Sequence, residues 1–289
     1  MTEDPSTTPD SCSFTDAMAL RPVGEGVFDA ELNRHWTIGP KLHGGAMLAL
    51  CAAAAREAYA VSGDSDVRPQ PVAVSASFLS APDPGPVRLR TRVRKRGRRV
   101  GVVEAELVQG ERTGVHAIVN LGEPEHLVAP LLSDNPVSSL MNPEPPPGVE
   151  PIGPGHPMWG TVNYATGVDV RPLMSSVPDG PAAGSSAPLR HSPRIQIWAR
   201  PRDGAPDALF ALLCGDISMP VAFAVGRRGW APTVQLTAYL RGIPADGWLR
   251  VLCTTTLIGQ DWFDSDHVVV DCQGRVVVQT RQLAMVPAR

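Results

Sequence analysis

The residue types able to do chemistry lie far apart in the chain. Gly215-Asp216-Ile217-Ser218-Met219-Pro220 sets a carboxylate ahead of a short helix expected to run to about Gly226, with Pro220 in the first turn, where a missing N–H costs little. Aspartate there is a favoured helix N-cap. The same place favours the carboxylate, so Asp216 is expected to be ionised at neutral pH and able to take a proton from water. Thr233 and Gln282 carry a hydroxyl and a carboxamide that can fix a water beside such a carboxylate. Their plainer readings are a strand-edge threonine and a solvent-facing glutamine. Thr237 and Gln279 are substitutes, although strand alternation turns Gln279 to the face opposite Gln282.

Other groups are weighed against plainer roles. The amides of Gly44 and Gly45, at the start of an apolar helix, could polarise a carbonyl oxygen. His43 before them reads as a structural histidine or an assistant to that site. Arg90, Arg92, Arg94, Lys95, Arg96, Arg98 and Arg99 make a solvated hairpin or a contact for phosphates. Asp261, Asp264, Asp266 and His267 do not make a metal site, because Asp264 and Asp266 share one strand face while His267 points away. The five cysteines are odd in number, widely spaced and without a Cys-x-x-Cys pair, so they read as reduced thiols in a cytoplasmic protein.

The elements that must position these residues fall into two blocks, 14–122 and 160–289, joined by a proline-rich linker over 123–159. A second irregular stretch, Ser175 to Pro188, reads as a flexible loop. In the first block a strand over Gly26 to His35 precedes a helix from about Ala46 to Tyr59. That helix is apolar on nearly every face, and such a helix must be buried on all sides. Strands follow at Pro71–Leu79, Val87–Arg94, Arg99–Gln109 and Thr113–Leu121. The second block repeats the order with strands at Arg194–Pro201, Thr233–Arg241, Trp248–Ile258, Phe263–Cys272 and Arg275–Val286. Pro71–Leu79 aligns with Pro232–Leu240 without a gap, which sets Val72 where the second copy has Thr233 and, after a three-residue insertion, Ile118 where it has Gln282. Two divergent copies of one unit explain this, and only the second can build a polar triad.

One long buried helix followed by an antiparallel meander leaves few packing solutions, since the sheet must curl around the helix. The expectation is an α+β double hotdog, its two sheets joined edge to edge and its two helices facing each other. With that pattern the sequence resembles the double-hotdog acyl-CoA thioesterases of the acyl-CoA thioesterase II type, including actinobacterial members. The likeness lies in Leu42-His43-Gly44-Gly45, Pro71 to Pro82, Arg94-Lys95-Arg96-Gly97-Arg98, Gly215 to Pro220, Pro232-Thr233-Val234-Gln235 and Gln279 to Val286. It implies hydrolysis of an acyl-CoA by Asp-activated water, with Asp216, Thr233 and Gln282 catalytic and His43, Gly44, Gly45, Arg94, Arg96 and Arg98 binding substrate. It implies no cofactor and no metal. A non-catalytic acyl-binding protein is the rival outside enzymes, and a hotdog dehydratase is disfavoured because His43 has no acidic neighbour in the helix start.

Composition narrows the partners. With 289 residues, 43% hydrophobic and 19% charged, and 26 Lys plus Arg against 29 Asp plus Glu, the chain is not a globally basic nucleic-acid binder. No uncharged apolar run reaches the ~18 residues of a membrane span, and the acidic start does not resemble an export signal. Exposed sheet edges favour self-association, leaving a homodimer and a monomer both open.

Overall fold

The computed structural model describes residues 12–61, 69–125, 128–177 and 192–288. The composition-based loop from Ser175 to Pro188 lies mostly outside them. Helix α1 (Phe14–Ala17) leads into the hairpin β1 (Arg21–Gly24) and β2 (Val27–Leu32). A ribbon of β3 (Thr37–Ile38) and β4 (Lys41–Leu42) then delivers the chain to α2 (Gly44–Val61). Four strands follow: β5 (Gln70–Phe78), β6 (Gly85–Lys95), β7 (Gly101–Gln109) and β8 (Arg112–Gly122). After α3 (Val137–Leu140) come β9 (Val168–Pro172), β10 (Arg194–Pro201), α4 (Ala208–Cys214), β11 (Thr233–Leu240), β12 (Leu249–Thr254), β13 (Trp262–Val270) and β14 (Val276–Met285).

Every residue of α2 from Ala46 to Ala55 is buried, as its uniformly apolar sequence demands. It packs on β5, β6, β7 and β8 and against α4, which lies on β11, β12 and β14. Apart from the β3–β4 ribbon, the described strands form one antiparallel sheet in the order β1-β2-β6-β7-β8-β5-β11-β14-β13-β12-β10-β9. Each half of that order mirrors the other about the β5–β11 junction, where Ser75 stands opposite Thr237 and their hydroxyls lie 3.0 Å apart. This is the expected double hotdog.

The register corrects the repeat alignment by one residue. Inward-facing Val74 and Ala76 must match inward-facing Leu236 and Ala238, and bulges confirm it: Val72 is the extra residue between Pro71 and Ala73, Val234 between Thr233 and Gln235. Pro71 therefore corresponds to Thr233, and Val119 to Gln282, in place of Val72 and Ile118. An ungapped match ignores the strict two-residue period of strand faces.

The proline-rich segment does more than connect. Val137, Met141 and Val149 bury against Trp198, Trp248, Leu252 and Val270 on the outer face of the second sheet half. The Trp198 indole donates to the Asn142 carbonyl at 2.9 Å. Among the described residues no helix is long and apolar enough to cross a membrane.

Candidate active site

Gly44 and Gly45 open α2 where nothing larger fits. A Cβ on Gly44 would stand 2.5 Å from Asp216 Oδ2, and one on Gly45 2.7 Å from the Leu213 carbonyl oxygen. Their bare Cα atoms let the end of α4 press against the first turn of α2. First-turn amides have no intrahelical partner, and here side chains supply them. The Ala46 amide donates to His43 Nδ1 at 3.3 Å, and the Gly45 amide donates to Asp216.

Asp216 thus stands at a helix N-terminus, but at that of α2 from the other repeat. The sequence reading had it capping a helix of its own. No such helix follows it: the α-helix here is α4, which ends at Cys214, two residues before Asp216, and has Asp207 as its N-cap, the carboxylate accepting from the Phe210 amide at 2.8 Å. Gly215 breaks the apolar run, and only a 3₁₀ turn, Val221–Val225, follows Pro220. The expected ionisation shifts as well. Asp216 keeps a partial opening to solvent, yet burial pushes its carboxyl up to about 7, against the pull of the Gly45 amide and the Gln282 carboxamide.

The bulge at Val234 decides which threonine faces this carboxylate. It turns Thr233 to the inner face with Leu236, while Thr237 stays on the outer face, bonded to Ser75 and Gln235. Gln282 reaches both groups: its Nε2 donates to Asp216 Oδ1 at 3.2 Å and to Thr233 Oγ1. Its carbonyl oxygen accepts from Ser265 Oγ at 2.8 Å, which holds the amide in that sense. Gln279 points outward to Arg241. Asp216, Thr233 and Gln282 are therefore brought together, and neither substitute is.

His43 is adjacent but fully engaged. Its Nε2 donates to the Asp216 carbonyl oxygen at 2.9 Å while Nδ1 accepts from Ala46, and burial pushes its pKa down to about 4. A neutral ring with both nitrogens committed tethers the backbone and leaves no donor for a substrate.

Arg94 and Arg96 are not brought to the site, and Arg98 lies in the turn that follows them between β6 and β7. Arg94 pairs with Glu104, and Arg96 lies 4.3 Å over the Tyr59 ring and donates to the Tyr59 carbonyl at 3.0 Å. That caps the far end of α2, about 22 Å from Gly44 at the usual helical rise.

Several site residues escaped the sequence reading. Thr280 Oγ1 donates to the Gly215 carbonyl at 2.6 Å and meets His267 Nδ1 at 3.1 Å, and His267 Nε2 meets Ser218 Oγ at 2.8 Å. Ser265, His267, Thr280 and Gln282 all occupy buried positions of alternating strands, and polar residues at inward positions are a readable signal. Tyr164, which donates to the Ile217 carbonyl at 2.9 Å, sits in an irregular stretch with no period to mark it. Asp264 faces outward, accepting from the Thr256 and Leu257 amides, while His267 faces in. The described residues gather no group of three potential metal ligands.

A carboxylate, a carboxamide and a hydroxyl thus meet at the helix start of a double hotdog, and the fold's class is that of the hotdog thioester hydrolases. The chain belongs to the acyl-CoA thioesterase family: residues 32–122 match the model of the acyl-CoA thioesterase N-terminal domain and residues 143–286 that of the C-terminal domain. It is 63% identical to an uncharacterized protein of Mycobacterium tuberculosis, over 96% of this chain and 99% of that one. A structure from Thermobifida fusca, described as a candidate thioesterase II, superposes with a TM-score of 0.77 at 29% identity, covering 95% of this chain and 97% of that one. An acyl-CoA thioesterase II of Mycobacterium marinum shares the fold, with a TM-score of 0.67 at 16% identity over 96% and 99% of the two chains.

Proposed function

We propose that this protein hydrolyses a fatty or related acyl-CoA to the free acid and coenzyme A, with Asp216 as general base, Thr233 holding the water and Gln282 holding Asp216 and Thr233 around it. The observation that carries this reading is the Gln282 carboxamide bridging Asp216 and Thr233 at the start of α2. Because Gln282 donates to Thr233 Oγ1, the threonine keeps its own proton to donate to a water. That water gives a proton to Asp216 as its oxygen attacks the thioester carbon. The C–S bond breaks, and the proton passes from Asp216 to the leaving thiolate. Gly45 already spends its amide on Asp216, so the Gly44 amide is the first-turn donor placed to take the thioester oxygen, a role worth several kcal/mol when pre-aimed.

The five unpaired thiols suit a reducing cytoplasm, an acyl-CoA substrate suits a place in lipid metabolism, and the open edges β1 and β9 suit a homodimer. The test is thiol release across a panel of acyl-CoAs. kcat/KM should rise with pH through about 7, because the base works only when ionised. Asp216→Asn should lower it by about a thousandfold or more. An Asn variant as fast as the wild type overturns the mechanism.

A further inference from the structure

The turn that carries Asp216 has neither helix nor strand to satisfy its carbonyls, and buried carbonyls need donors. Three side chains supply them in consecutive order. Thr280 donates to Gly215 at 2.6 Å, His43 to Asp216 at 2.9 Å and the Tyr164 hydroxyl to Ile217 at 2.9 Å. Thr280 stands on β14 and His43 on the approach to α2. Tyr164 comes from neither, but from a 3₁₀ turn, Asn163–Thr166, ahead of β9. That turn is fastened to the first half of the molecule: Asn163 Nδ2 donates to Thr37 Oγ1 at 2.9 Å and to the Gly39 carbonyl at 3.2 Å, and the Gly39 amide donates to Thr161 at 2.7 Å. Tyr164 is 2% exposed, and its ring lies 4.5 Å from the His43 ring, so the donors to two adjacent carbonyls brace each other.

We propose that Tyr164 is a positioning residue for the hydrolysis, its hydroxyl on the Ile217 carbonyl and its ring against His43 fixing the height of Asp216 over Gln282 and Thr233. This rests on the reading of Asp216 as the base. The margin is small. Gln282 Nε2 already stands 3.2 Å from Asp216 Oδ1, at the long end of a hydrogen bond, so a few tenths of an ångström of slack in the turn opens it. Tyr164 touches neither the substrate nor the attacking water and acts only through the turn.

Tyr164→Phe keeps the ring and removes the donor. The expected result is a loss of about tenfold in kcat with KM within about twofold of wild type, since misplaced catalytic groups cost rate more than binding. The acid limb of the pH profile should move upward, because the Gly45 and Gln282 bonds that pull the Asp216 carboxyl down are loosened together. In an Asp216→Asn background the same substitution should cost nothing further. Wild-type kcat and an unmoved limb in Tyr164→Phe, with Asp216→Asn inactive, overturn the proposal and leave the base intact. So does a full tenfold loss on top of Asp216→Asn, because Tyr164 would then act independently. Activity of Asp216→Asn at the wild-type level brings down the base and this proposal with it. Should Tyr164→Phe fail to fold, Asn163→Ala, which loosens the same turn from Thr37 and Gly39, reads the same shifts in kcat and pH limb.

Discussion

The two halves share a strand order and the bulges of their inner strand pairs, yet their inner faces differ at every corresponding site position. Where the second half has Thr233, Ser265, His267, Thr280 and Gln282, the first has Pro71, Val103, Ala105, Ala117 and Val119. The first half is a dry box around α2. The second carries a band of hydrogen-bonded polar groups beneath the Asp216 turn, made affordable by a shorter helix that leaves the turn room. The polar cluster, and with it the proposed chemistry, is thus confined to one copy, while the other contributes what its backbone alone can give: a helix N-terminus narrowed to Gly44 and Gly45.

Polar groups on a buried face are a cost to stability, and removing the charge should show it. Asp216→Asn, besides losing activity, should stabilise the fold at pH 8. Burial raises the folded carboxyl to about 7 from an ordinary 3.8, so the wild type bears no penalty below about pH 4, a growing one between about 4 and 7, and the full one above. The gain in the Asn variant should be on the order of a few kcal/mol at pH 8, vanishing towards pH 4, as measured by denaturant unfolding at both pH values. A variant no more stable than wild type at pH 8 would mean the carboxylate is better solvated than its surroundings suggest.

Gln282→Val converts the site to the first half's residue and should be next in effect. It removes the link between Asp216 and Thr233 and one of the two bonds holding the Asp216 carboxyl down. The expected outcome is a loss of about a hundredfold in kcat/KM with the acid limb moved upward, read from thiol-release rates across pH. The reverse exchange, Val119→Gln, should restore no second site, since Pro71 and Val103 offer no partners there. It buries an unpaired carboxamide and should destabilise by about 2 kcal/mol with turnover unchanged.

This contrast also shows what the sequence can reveal. The buried α2 is legible because Ala, Leu, Met and Cys on every face admit one placement. The strands are legible from their alternation, and the double hotdog follows from the two. Thr233 and Gln282 were reachable, but the bulge that turns Thr233 inward was not: Val72 and Val234 look like ordinary strand valines, so the repeats slid by one residue. Asp216 reads as the cap of a following helix because Pro220 suits a first turn, yet only a 3₁₀ turn forms there, and nothing short of the contact with the α2 glycines shows which helix end the carboxylate meets. Tyr164 belongs to a stretch held by contacts distant in sequence, where local pattern carries no information.

The smallest effect should come from the basic strand, where the sequence and the geometry part most sharply. Arg88, Arg90, Arg92 and Arg94 alternate on the outer face of β6, opposite the outward-facing Glu104 and Glu106 of β7. Arg94 is paired with Glu104, and Arg96 closes the C-terminal turn of α2 through Tyr59. Such groups stabilise by a few tenths of a kcal/mol each. Replacing Arg94, Arg96 and Arg98 together by alanine should therefore lower the melting temperature slightly and leave KM for acyl-CoA within about twofold at low salt, where any phosphate contact would count most. A KM raised tenfold or more, and made insensitive to added salt, would put the nucleotide end of the substrate on this hairpin. The first half would then contribute charge as well as a helix terminus, and the division of labour between the two copies would have to be redrawn.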